Sequence, residues 1–90
     1  MIYCIGQKLV YERAFATRQV VEKEGRRGDG YPGGWVFRTQ GEAQMFLARK
    51  GLTFTHGVYG VEADWETGTE QLPNEPYRRL IQPARVVRLP

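Results

Sequence analysis

The ten residues HGVYGVEADW, 56–65, alternate without a break. Tyr59, Val61, Ala63 and Trp65 fall on one side of an extended chain, and Val58, Gly60, Glu62 and Asp64 fall on the other. Successive side chains of a strand point to opposite faces, so this run is a half-buried strand with one wet face. A half-buried strand demands a sheet to join and an apolar layer to lie against it. A chain of 90 residues supplies only one core of that kind. The expectation is a single domain over 1–90, with a small margin of stability that self-association would supplement, so a homo-oligomer is expected.

The flanking segments complete the domain. IYCIG (2–6) is a short apolar strand, and in QKLVYERAFAT (7–17) Tyr11, Ala14 and Phe15 recur at helical spacing beside Val10. RQVVEKEG (18–25) reads as a strand through Val20 and Val21, ended by Gly25. GWVFRT (34–39) is a further strand, with Trp35 and Phe37 on one face and Val36 and Arg38 on the other. Thr39-Gln40-Gly41-Glu42 is a capping box: the threonine hydroxyl can accept from a first-turn N–H while the glutamate reaches back to the cap residue. The helix it starts, over 40–50, turns Ala43, Phe46 and Leu47 inward and stops at Gly51. ETGTEQLPNEP (66–76) reads as a polar surface loop, YRRLI (77–81) as one helical turn, and ARVVRL (84–89) as a closing strand. Strands and helices intersperse without a βαβ rhythm. The fold class is therefore α+β, with a mixed or antiparallel sheet of about 4–5 strands, one main helix and one shorter helix.

No segment approaches the continuous apolar length of a membrane span, and Lys8, Glu12 and Arg13 follow the first residues too closely for a signal peptide, so a cytosolic protein is expected. The single cysteine, Cys4, excludes an internal disulfide and sits in an apolar run, as a buried structural thiol does. The lone His56 has no partner in the sequence that would make a catalytic triad. Glu62, Asp64 and Glu66 share a face if the strand persists. Such a face can be solvated, hold a divalent cation, or pair with the arginines of YRRL and PARVVRL. A solvated face is the expectation, and pairing within the chain or across a dimer is the alternative. Residues 62–75 hold five acids and no basic residue, whereas 76–90 hold four arginines and no acid, and a basic surface meeting an acidic one favours self-association. No metal or cofactor is called for.

The densest basic point is GRRGDGYPGGW, 25–35, with five glycines and two adjacent arginines. Gly28–Gly33 formally spells G-x-G-x-x-G, but the dinucleotide motif must open a helix and GWVF reads as a strand. No G-K-[ST] follows, which removes a P-loop, and the RGD tripeptide has no secretory context. A different use of the same chemistry remains. Arg26 and Arg27 could neutralise phosphate, Gly33 and Gly34 could donate backbone N–H groups, and Tyr31 or Trp35 could stack a base. Arg38, on the face opposite Trp35, is a further candidate. Ten arginines stand against three lysines, and guanidinium forks suit phosphate and stack on aromatic faces. A net charge of +3 and the lack of a basic recognition helix make duplex nucleic acid a poor partner, and a small anionic nucleotide a better one. An enzyme acting on nucleotides would have to use His56, Glu62 or Asp64.

Taken together, MIYCIG, YPGGWVF followed by a short helix, VYGVEADWE and a closing ARVVRL resemble a group of small phage and prophage proteins. The resemblance implies counter-defence in the host cytosol. It would work by sequestering a nucleotide immune signal, cyclic or ADP-ribose-like, or by blocking a host defence factor through contact. Mimics of nucleic acid that jam CRISPR effectors are acidic, as this chain is only over 62–75. The block GGWVF…EAQMFL…VYGVEADW also resembles minimal ADP-ribosyltransferase-like cores, without their His, Tyr and Glu catalytic set.

Overall fold

The first strand, β1 (Ile2–Gln7), is apolar on both faces because it lies in the middle of a sheet covered on both sides. A computed structural model of the chain describes residues 1–18, 20–21, 34–87 and 89. Ile2 and Cys4 point into one core and Ile5 into the other, each almost fully buried.

The chain turns from β1 directly into α1 (Lys8–Thr17), which packs Tyr11 and Ala14 onto the first face. A left-handed Arg18 (φ 58°) ends it and feeds β2 (Val20–Val21). After β3 (Trp35–Phe37) comes α2 (Gln40–Arg49), which lays Ala43, Phe46 and Leu47 on the second face. The Thr39 hydroxyl oxygen accepts from the Glu42 N–H at 3.2 Å, as the capping box requires. The glutamate, however, accepts from the Thr39 hydroxyl at 2.8 Å instead of reaching back to the Thr39 N–H. At the other end Gly51 adopts φ 68°, and the N–H groups of Gly51 and Leu52 donate to Ala48 and Leu47 at 3.1 and 3.2 Å. This is a Schellman stop, with Leu52 folded back onto the α2 core.

Four more strands follow: β4 (His56–Glu62), β5 (Thr69–Gln71), β6 (Arg78–Leu80) and β7 (Ala84–Val87). Among the described residues seven strands form one sheet in the order β2-β7-β4-β1-β3-β6-β5, and every neighbouring pair is antiparallel. The α+β class holds, but the sheet exceeds the expected four to five strands. Two segments account for the excess. Residues 77–81, expected as a helical turn, contain β6, and the expected loop 66–76 contains β5. Their pairing puts Glu70 opposite Arg79, joined at 3.3 Å, so the acidic and basic blocks meet across one hairpin. No helix among the described residues is long and apolar enough to cross a membrane.

Candidate functional site

The alternation of β4 carries on past its last residue, and the first face of the sheet receives Tyr59, Val61, Ala63 and Trp65 in turn. Beyond Ala63 the chain folds into a tight turn fastened by Asp64. Its Oδ2 accepts from the N–H groups of Glu66 and Thr67 at 3.0 and 2.8 Å and from the Thr67 hydroxyl at 3.1 Å. These bonds, the Thr67 N–H first, hold the Asp64 carboxyl below its ordinary value. The same acid was a candidate for a carboxylate triad with Glu62 and Glu66. The strand ends at Glu62, and among the described residues no three metal-ligating side chains converge.

The turn offers the Trp65 carbonyl to β5 and β6. The Thr69 hydroxyl donates to it, and so does Arg78 Nη2 at 3.2 Å. Arg78 also donates from Nε to the Thr69 hydroxyl at 2.7 Å and from Nη2 to the Thr69 carbonyl at 3.0 Å. These bonds occupy Nε and Nη2, and Nη1 meets no acceptor among the described residues. The guanidinium lies 5.3 Å from the centroid of the Trp65 ring. Arg38, delivered to the same face by the end of β3, lies 4.4 Å from that centroid. Its side chain is 64% exposed, and Glu66 stands 4.0 Å away, at the limit of an ion pair.

A cleft of about 390 Å³ opens beside this cluster, lined by Arg38, Arg78, Trp65, Phe37, Tyr77 and Glu42 among others. A volume in the range of roughly 300–1,000 Å³ suits a small ligand. Two guanidiniums, 4.4 and 5.3 Å from the centroid of one indole, keep donors at the cleft. Such donors can make charge-assisted hydrogen bonds to an anion.

The residues singled out in the sequence part ways here. Arg26, Arg27, Tyr31 and Gly33 lie outside the described residues. Gly34 is buried at φ 78°, its N–H donating to the Ile5 carbonyl at 2.9 Å and its carbonyl accepting from Leu80 at 2.7 Å. That N–H is engaged in the sheet and has none to give an anion. Trp35 is half-buried under α2, its ring 4.5 Å from that of Phe46. Arg38 alone of the described candidates reaches the cleft, on the face opposite Trp35. Trp65 reads as a core residue in the alternation, and Arg78 as part of a helical turn. The sequence signal that could have found both is the acidic block followed by a basic one, which is the charge pattern of a paired hairpin.

The other chemically interesting side chains sit inside the fold. His56 is 1% exposed with Nδ1 2.6 Å from the Thr55 hydroxyl, and Cys4 is fully buried with its sulfur 3.2 Å from the Tyr11 hydroxyl. No protein-family model, curated protein or solved structure matches this chain.

Proposed function

We propose that this chain is a binding protein for a small anionic ligand with a flat ring, a nucleotide in kind, which it holds without chemistry. The observation that carries the reading is the pair of guanidiniums, Arg38 and Arg78, set on the Trp65 ring at the edge of the cleft. Arg78 is positioned by its own hydrogen bonds before any ligand arrives, which lowers the ordering cost of binding. Exposed Arg38 supplies the second charge. The resemblance to phage proteins supplies the setting: sequestration of a cyclic or ADP-ribose-type immune signal in the host cytosol, by a chain that self-associates.

Isothermal titration against cyclic dinucleotides, cyclic oligonucleotides and ADP-ribose derivatives tests the proposal. One class binds, is recovered unchanged after release, and loses at least about tenfold in affinity with Arg38→Ala. Silence across the panel overturns the reading.

A second reading, inhibition of a host factor by contact, draws on a different observation. Leu9 and Phe54 are 85% and 92% exposed, and they flank the backbone bond from the Lys8 N–H to the Thr55 carbonyl at 3.0 Å. Two large apolar side chains exposed to water on neighbouring chain segments favour a protein partner. On this reading one stoichiometric host protein co-purifies with the chain and is lost with Leu9→Ser and Phe54→Ser.

A further inference from the structure

The cleft beside Trp65 holds charges of both signs that do not meet. Arg38 and Arg78 line it, and so does Glu42, the one carboxylate among its described lining residues. The ion pairs among the described residues are Arg38–Glu66 and Arg79–Glu70, so none joins Glu42 to either arginine of the cleft. Glu42 Oε1 accepts from the Thr39 hydroxyl at 2.8 Å, which anchors the carboxylate in the first turn of α2. Its Oε2 meets no donor among the described residues.

Gln71 repeats the pattern. It stands opposite Arg78 in the β5–β6 register, so the two side chains share a face, and both line the cleft. Its Nε2 donates to the carbonyls of Glu75 and Tyr77, the latter at 3.1 Å. Those two acceptors decide which way the amide points and leave Oε1 without a donor among the described residues.

The cleft thus presents two kinds of open group. The guanidiniums of Arg38 and Arg78 suit an anion, whereas Glu42 Oε2 and Gln71 Oε1 suit N–H donors. An ionised carboxylate only accepts. It favours a ring edge with donors side by side and disfavours one that turns a ring-nitrogen lone pair toward it. Guanine carries N1–H and the N2 amino group on one edge, and adenine has an acceptor, N1, at the matching place.

We propose that Glu42 makes this cleft selective for guanine: the carboxylate accepts from the N1–H and N2 amino edge of the base while Arg38 and Arg78 hold the phosphate. The inference rests on the nucleotide reading above and narrows it, away from adenine carriers such as ADP-ribose and toward nucleotides of guanine.

Isothermal titration of the full chain with 5′-GMP, 5′-IMP and 5′-AMP, which share sugar and phosphate and differ along that edge, tests it. GMP binds at least about tenfold tighter than AMP, as a hydrogen bond to a charged group requires. IMP, which keeps N1–H and lacks the amino group, falls between them. Glu42→Gln preserves an oxygen for the Thr39 hydroxyl and presents an amide that both donates and accepts, as adenine needs. In that variant the ratio of GMP to AMP affinity falls to about one at an unchanged melting temperature. Arg38→Ala weakens all three ligands alike and keeps the ratio. Absence of binding by any of the three overturns the nucleotide reading and the selectivity together. Equal affinity for GMP and AMP, or a ratio that survives Glu42→Gln, overturns the role of Glu42 alone and leaves the anion site standing.

Discussion

The ring of Tyr11 lies directly on the backbone of Gly6. A methyl group built on that glycine would stand 2.2 Å from Cε1 and 2.3 Å from Cδ1 of the ring. Tyr11 is fully buried and its hydroxyl lies 3.2 Å from the Cys4 sulfur, so the ring has no room to step aside. Gly6→Ala therefore overpacks the α1 core and costs about 1–3 kcal/mol, read as a lower urea midpoint at unchanged slope. Because one contact is responsible, Gly6→Ala and Tyr11→Ala are non-additive, the double variant losing less than the sum of the singles. Strict additivity would show that the ring does not rest on this glycine.

The two ends of α2 are specified independently. Thr39→Ala removes the hydroxyl that accepts from the Glu42 N–H and costs about 1 kcal/mol. Gly51→Ala leaves open space around the new methyl but forces a side chain into φ 68°, at about 1–2 kcal/mol. The check is thermal unfolding of both variants: an unchanged midpoint in either means that the corresponding end is held by packing alone.

α2 is the element most legible from the sequence, and the reason is local. A hydroxyl before the helix, a glycine after it and an apolar stripe between them are all interactions within one short stretch. The side on which Tyr59, Val61 and Trp65 pack was legible for the same reason, but the other face is not wet as expected: Val58 packs into the core under α2, Gly60 is buried, and the strand ends at Glu62. β5 and β6 were not legible. Thr69-Glu70-Gln71 carries no apolar residue, and Arg78-Arg79-Leu80 carries one, because what holds them is pairing with each other and with β3. A strand whose outward side chains are an acid and its opposing arginine has no hydrophobic period to read. The cleft shares that difficulty. Arg38, Trp65 and Arg78 are brought together by the order of strands, and Trp35, the more prominent tryptophan in sequence, is taken up by Phe46 and the underside of α2.

Arg78 is the keystone of that hairpin. Nε and Nη2 together reach the Thr69 hydroxyl, the Thr69 carbonyl and the Trp65 carbonyl, a fork that lysine cannot copy. Arg78→Lys loses about 1.5–3 kcal/mol, the range for hydrogen bonds to a charged group. The loss is local first. Hydrogen exchange at the amides of β5 and β6 speeds up before the β1–β4 ladder is affected. Equal acceleration in both regions would remove the special role assigned to this side chain.

Arg38 behaves in the opposite way. Its pairing with Glu66 is long and both side chains are exposed, so Arg38→Ala changes stability by no more than about 0.5 kcal/mol. What it removes is the guanidinium on Trp65. A variant that melts like the parent yet fails to bind the nucleotide that the parent binds separates the cleft from the scaffold. A variant that binds as well as the parent places the ligand elsewhere.

Tyr59 supplies a dependence on pH. Its hydroxyl donates to Glu12 Oε2 at 2.9 Å. Partial burial, then that bond and the charge of Glu12, push the phenol well above its ordinary value of 10. In the unfolded chain the phenol loses its proton near the ordinary value, whereas in the folded chain it keeps it to higher pH. Above that value the unfolded state binds fewer protons than the folded one, so stability falls as the pH rises. The contribution of Tyr59 is thus fully present at neutral pH and is lost on the alkaline side. Tyr59→Phe keeps the ring against Tyr11, 5.1 Å away, and removes only the titrating group. The stability difference between parent and Tyr59→Phe, measured by urea unfolding in steps from about pH 7 to about pH 11, is flat at first and moves in favour of the phenylalanine variant beyond about pH 10. A difference that stays constant over the whole range would mean that neither burial nor the bond to Glu12 raises the Tyr59 phenol in solution.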